Sequence, residues 1–195
     1  MKNPRWSEEL TRGLDADKAR IKYGCAKGLH SVSEERAEWL YPQFDVFVRR
    51  LDRENKILQW GAALVLSQLA RIDSDDKFTA IVDKHFSPIV GPVMITAANV
   101  IRGGARIAQA KPHLADRIAA EVVKAARACH QTPECCNVAI GHAILGLGDF
   151  FDLLNNPRPV LQFVLKQIEN SRRATSRTAE QFVKRVQSRA ENLPT

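Results

Sequence analysis

An apolar, small-residue segment recurs four times along this chain, at sequence offsets of 37, 38 and 40, and few folds tolerate such a period. At the first offset Ile21, Tyr23, Gly24, Ala26, Leu29 and Val32 fall on Leu58, Trp60, Gly61, Ala63, Leu66 and Leu69. At the second, Ala62, Ala63, Leu69 and Ala70 fall on Val100, Ile101, Ile107 and Ala108. At the third, Ala98, Val100, Gly103 and Ile107 fall on Val138, Ile140, Ala143 and Leu147. Each copy reads as a helix that cannot bury its apolar face alone and must stack on its neighbours. The glycines Gly24, Gly28, Gly61, Gly103 and Gly104 are expected where neighbouring hairpins come close.

A polar break and a second helical pattern follow each copy. Ser31-Val-Ser-Glu34 offers a capping box, and Asp73-Ser-Asp-Asp76 sets acids against a helix start. Pro112 suits a first turn, and Asn156-Pro-Arg-Pro159 serves the fourth copy. Beyond the breaks, Ala37, Leu40, Phe44, Phe47, Val48 and Leu51 share one face of a 3.6-residue period, as do Leu114, Ile118, Val122 and Ala125. Residues 82–93 contain Ser87-Pro88 and Gly91-Pro92 and read as a broken connection. No segment sustains the period-2 alternation of a strand. A last helix is expected over residues 177–192, with Ala179, Phe182, Val183, Val186 and Ala190 on one face. The reading is a single domain over residues 1–195, with repeats at 17–56, 57–94, 95–134 and 135–170 and a basic capping segment at 171–195.

Two stretches carry a family resemblance: Ile57-Leu-Gln-Trp-Gly-Ala-Ala-Leu-Val-Leu-Ser-Gln-Leu-Ala70, and Asn99 to Ala110 followed by Lys111-Pro-His-Leu-Ala-Asp-Arg-Ile118. Over residues 17–170 the chain resembles the HEAT-repeat, armadillo-like helical family. The resemblance implies an all-α fold, a right-handed α-α superhelix or solenoid of about four HEAT-like hairpins with a C-terminal capping helix. In that family the second helices line a concave groove. The bases that the resemblance places there are Arg49, Arg50, Arg53, Arg117, Lys124, Arg127, Arg158 and Lys166.

Charge narrows the partners. Net charge is +7, and residues 158–195 hold eight bases against three acids, so most of the excess lies in the last fifth of the chain. Residues 1–15 carry charges and no apolar run, unlike a secretory signal. Residues 85–101 are charge-free after His85 but are broken by Pro88, Gly91 and Pro92, so no membrane span is expected. A cytoplasmic protein with reduced thiols follows as the expectation.

Several constellations have the residue types for chemistry. Cys129, His130, Cys135 and Cys136 supply the ligand types of tetrahedral zinc, with His142 nearby. They contain no regular Cys-x-x-Cys pair, and Thr132-Pro133-Glu134 reads as a helix cap that puts Cys135 and Cys136 at a helix start. There either thiol has the position of a nucleophile, given a base such as His130 or His142. Buried apolar cysteines are the simpler reading, and neither a metal nor a cofactor is expected. Asp149 and Asp152 read as helix-end acids, and Trp39 and Trp60 as core.

The first functional expectation is a non-catalytic scaffold that binds a protein through the second-helix groove. The alternative is nucleic-acid binding through Arg172, Arg173, Arg177, Lys184 and Arg185. DNA alkylation repeat glycosylases, also built from HEAT-like hairpins, are the enzymatic precedent. Of their aromatic-plus-acid spacing, Tyr41 and Asp45 are the one pair with the right separation, and no catalytic residue is assigned. No small-molecule substrate is identifiable.

Overall fold

The structure is a computed structural model and describes residues 5–128 and 130–191. Among these residues it contains ten α-helices, short 3-10 turns and no strand. Five are the helices of the repeated apolar segment or its continuation: α2 (Ala19–Glu35), α4 (Lys56–Leu69), α6 (Met94–Ala110), α8 (Pro133–Phe150) and α10 (Arg173–Glu191). Their first positions, 19, 56, 94, 133 and 173, advance in steps of 37, 38, 39 and 40. Between them run shorter helices: α1 (Arg5–Gly13), α3 (Phe44–Arg50), α5 (Lys77–Phe86), α7 (Ala115–Val122) and α9 (Arg158–Leu165). No helix among the described residues is long and apolar enough to cross a membrane.

Tertiary contacts divide the chain into two compact units, residues 1–85 and 86–195. In the first, α2 packs on α1 and α4, and α3 packs on α4. Leu29, Leu40, Phe44, Phe47, Leu66 and Leu69 are almost wholly buried there. Trp39 and Trp60 are half-buried, outside the core expected of them, and Trp39 stands edge-on to Trp6. In the second unit, α8 lies against both α6 and α10, and α9 packs on α10. The expected stripe of Leu114, Ile118, Val122 and Ala125 is buried in this unit, as is the α10 pair Ala179 and Phe182.

Polar side chains tie helices to those one period away. In the first unit Gln43 donates to Ser7, Arg50 to Asp15, Tyr41 to Asp73 and Lys84 to Asp52, each across most of a repeat. In the second, Asn155 Nδ2 donates to Asp116, Thr175 to the Asn137 carbonyl, Arg172 to Glu134 and Arg185 to the Gly148 carbonyl, each across one repeat. Arg189 pairs with Asp152 at the same separation as Arg185 with Gly148. The sequence period is thus also the spacing of the tertiary bonds.

Start signals behave as their chemistry demands, with one exception. The Asp73 carboxylate caps α5 by accepting from Lys77 N at 3.0 Å and Phe78 N at 2.8 Å, and Tyr41 Oη donates to it at 2.6 Å. Burial, with the bond to Asp73, holds the Tyr41 phenol above its usual range. Thr132 Oγ1 accepts from Cys135 N at 3.1 Å, with Pro133 in the first turn of α8. Burial works to raise the Asp116 carboxyl, but donation from Asn156 N and from both nitrogens of Asn155 outweighs it and holds the group low. Ser31 to Glu34 do not start a helix. They lie inside α2, where Ser33 Oγ donates back to the His30 carbonyl at 2.6 Å, and the break comes at Arg36. A Ser-x-x-Glu spacing also fits a helix interior, because serine can satisfy itself on the preceding turn.

The last helix begins at Arg173, four positions before the expected 177, because the Asn170 side chain accepts Arg172 N at 2.9 Å and starts the turn earlier. Its expected end at 192 and the side chain of Ala190 lie outside the described residues. The glycines divide. A Cβ on Gly104 would stand 3.2 Å from Phe86, and one on Gly146 would stand 3.1 Å from Ile101, so these two permit close packing. Gly24 and Gly61 do not serve the close approach expected of them, since a Cβ at either meets nothing within 4 Å. Gly61→Ala should therefore stabilise the protein by about 1 kcal/mol, the interior helix cost of glycine. The urea midpoint measures it, and an unchanged or lower midpoint would contradict the open geometry.

Candidate functional site

The second-helix arginines that the structure brings together lie in the first unit. A cleft of about 490 Å³ opens between α1 and α3. Arg12 and Asp15 border it from the α1 side, and Arg49, Arg50 and Arg53 from the α3 side. Packing assigns each of these residues its place. Phe44, Phe47 and Leu51 turn inward on α3 and the turn after it, which leaves Arg49 and Arg53 outward and exposed. Arg50 falls on the inner flank, and its side chain is 7% exposed.

That burial requires a partner. Arg50 Nη2 donates to Asp15 Oδ2 at 2.7 Å and to the Thr11 carbonyl at 3.4 Å, while its Nε has no acceptor. Asp15 itself is 60% exposed and stands 4.0 Å from Arg53. Arg50 is accordingly the floor of the cleft and a structural group, whereas Arg49, Arg53 and Arg12 are its accessible cations. Arg12 has a near carboxylate on its own helix, Glu8 at 4.0 Å. Four guanidiniums against the two carboxylates of Glu8 and Asp15 make the cleft net basic.

Arg12, Glu8 and Asp15 escape the sequence reading, because α1 precedes the first recognisable repeat. A signal for them is present: α1 begins at Arg5 and α3 at Phe44, one period apart, so α1 stands where a preceding copy's second helix would.

The remaining candidate bases lie in the second unit. Arg117 is exposed on α7, and Arg127 is exposed at the end of the 3-10 turn after it. Lys124 pairs with the buried Glu121 at 2.5 Å. Arg158 and Lys166 are exposed at the two ends of α9. At the start of α10 and along it, the five expected nucleic-acid contacts divide by use. Arg172 is held by Glu134 at 2.7 Å, and Arg185 donates to the Gly148 carbonyl while lying over the Phe182 ring. Arg173, Arg177 and Lys184 are exposed.

Of the cysteine cluster, Cys129 lies outside the described residues. His130 is buried, with neither ring nitrogen hydrogen-bonded. Cys135 and Cys136 are half-buried in the first turn of α8, where Cys136 Sγ donates to the Ala128 carbonyl at 3.5 Å. No group of three His, Cys, Asp or Glu side chains is arranged to hold a metal among the described residues. His142 is held below the usual imidazole range by burial first, then by Arg102 and Arg172. Asp45 is exposed, and Tyr41, the aromatic of the one glycosylase-like pair, directs its hydroxyl to Asp73.

The chain matches no family model and no curated protein. Among solved structures it is similar to a crystal structure titled as an engineered protein, a Northeast Structural Genomics Consortium target. That likeness has 16% identity and a TM-score of 0.55, and covers 90% of this chain and 77% of the other. It bears on the helical fold alone.

Proposed function

We propose that this chain is a HEAT-like scaffold, a right-handed α-α superhelix that binds a protein partner through the face formed by its second helices. The regular advance of the helix starts supports the repeat, as do the one-period side-chain bonds. The alternation of longer and shorter helices supports α10 as a C-terminal capping helix after the four hairpins. Its buried Ala179 and Phe182 and its exposed Arg173, Arg177 and Lys184 suit a cap with a polar outer face.

The observation that carries the binding assignment is the α1–α3 cleft, where the buried Arg50, held by the exposed Asp15, fixes the floor and leaves Arg49 and Arg53 displayed above it. Exposed guanidiniums on a rigid base suit planar recognition of carboxylates on a partner. Such rim charges act on association rate and partner choice.

Arg49→Glu/Arg53→Glu should preserve the circular dichroism spectrum and weaken a purified partner's binding at least tenfold. The partner is found by comparing proteins captured by the parent and by the variant. Recovery of the same proteins in the same amounts by both baits removes the reading.

A second reading, nucleic-acid binding, is favoured by the exposed Arg173, Arg177 and Lys184 on α10. Fluorescence polarisation against short single- and double-stranded DNA and RNA at two salt concentrations decides it. Binding that falls steeply with salt and disappears on reversing those three charges would establish it in place of the first.

A further inference from the structure

A second cleft, of about 240 Å³, lies between α2 and α4. Tyr23, Lys27 and His30 line it from α2, and Ile57, Trp60 and Gly61 from α4. Its walls are unusually apolar for an open surface: Tyr23 is 37% exposed and Ile57 42%.

Two glycines, Gly61 in the wall of this cleft and Gly24 at the equivalent position of α2, have no employment inside the chain. Gly24 and Gly61 sit in helix interiors, where glycine is costly, and neither has a positive φ that would demand it. Gly104 and Gly146 are explained by the side chains pressed against them; Gly24 and Gly61 face open space. The two occupy equivalent positions in the first and second copies of the repeat, beside the equivalent aromatics Tyr23 and Trp60. Bare backbone at Gly61, with the half-buried Trp60 beside it and the exposed Tyr23 in the facing wall, is what close approach by another element from outside requires.

Charge selects the occupant. Arg20 and Lys27 lie on the same α2 stripe as Tyr23, and Lys56 opens α4. There is no carboxylate from Ala19 to Ser33 or anywhere along α4. The first acid on α2 is Glu34, 3.8 Å from His30.

We propose that the α2–α4 cleft docks an acidic amphipathic helix of a protein partner. Its apolar face rests on Tyr23, Ile57 and Trp60, its backbone approaches at Gly61, and its carboxylates meet Arg20, Lys27 and Lys56. This surface is separate from the α1–α3 cleft and does not depend on it.

The test is selection from a displayed library of random 16-residue peptides on the full chain, with counter-selection on Gly61→Leu. The best peptide is then titrated by fluorescence polarisation. Enriched peptides should be net acidic with apolar residues at i, i+3 or i+4, and i+7. Their affinity should fall at least tenfold on Gly61→Leu and on the surface change Lys27→Glu, each with a native circular dichroism spectrum. Because Lys27→Glu leaves packing alone, the test stands even where Gly61→Leu folds poorly. Enrichment of basic or extended peptides, or equal affinity in both variants, overturns the proposal. So does a dT16 oligonucleotide that binds the parent and not the variants, or a parent dimer in sedimentation that both variants abolish.

Discussion

Lowering the pH from 7 to 4 should cost the protein about 3 kcal/mol of stability through His85 alone. This imidazole is fully buried at the end of α5, with its ring edge-on to Phe78 at a centroid distance of 5.0 Å. Burial pushes it down from 6.5 to about 3, since the charged form loses its hydration. The unfolded chain takes up the proton near pH 6.5, while the folded chain resists until about pH 3. The stabilisation is therefore complete above pH 6.5 and drains away as pH falls towards 3, at roughly 1.4 kcal/mol per unit. His142, also held low, acts in the same direction. Urea midpoints at pH 7 and pH 4 measure the loss, and His85→Leu should remove most of the difference. A variant as acid-sensitive as its parent would show that other groups govern the acid limb.

His85 also shows where sequence reading stops. Its position falls in the segment read as a broken connection, and nothing in Lys84-His85-Phe86 announces that the histidine is wholly buried. The repeat, by contrast, is legible because it rests on many apolar positions at once. Leu69, Ile107 and Leu147 recur at the offsets of 38 and 40 and are all fully buried. Local polar chemistry is legible where it has one geometric solution, as at Asp73 and Thr132. It misleads at Ser31 to Glu34, where the same spacing serves a helix interior. The charged residues are the least legible. Arg49 and Arg50 are adjacent and chemically identical, yet one is exposed and the other is buried, because a step of about 100° around α3 moves a side chain from rim to core. Choosing between them requires the position of α1, which lies outside the recognisable repeat.

That neighbourhood carries the second large effect. Asp15→Ala should destabilise the protein by about 2 to 3 kcal/mol, although Asp15 is itself 60% exposed. The cost arises on the other partner. Arg50 would remain buried with only the Thr11 carbonyl, at 3.4 Å, to satisfy its guanidinium, and its Nε already lacks an acceptor. Its inner flank borders a small apolar cavity against Leu14, Leu29 and Phe47, and its side chain is 7% exposed, so most of the charge is desolvated in place. Arg50→Met on top of Asp15→Ala should recover most of the loss, because an unbranched apolar side chain fills the same space with no charge to desolvate. A double-mutant cycle by denaturant unfolding thus has a coupling energy of about 1 to 2 kcal/mol with the sign of rescue. Additive losses would mean that water already solvates Arg50 and that the cleft floor is not fixed by the pair. The rescued double variant also separates the roles of the arginines, since it keeps Arg49 and Arg53 over a neutral floor. Partner binding retained there and lost in Arg49→Glu/Arg53→Glu would assign recognition to the two exposed cations and structure to the buried one.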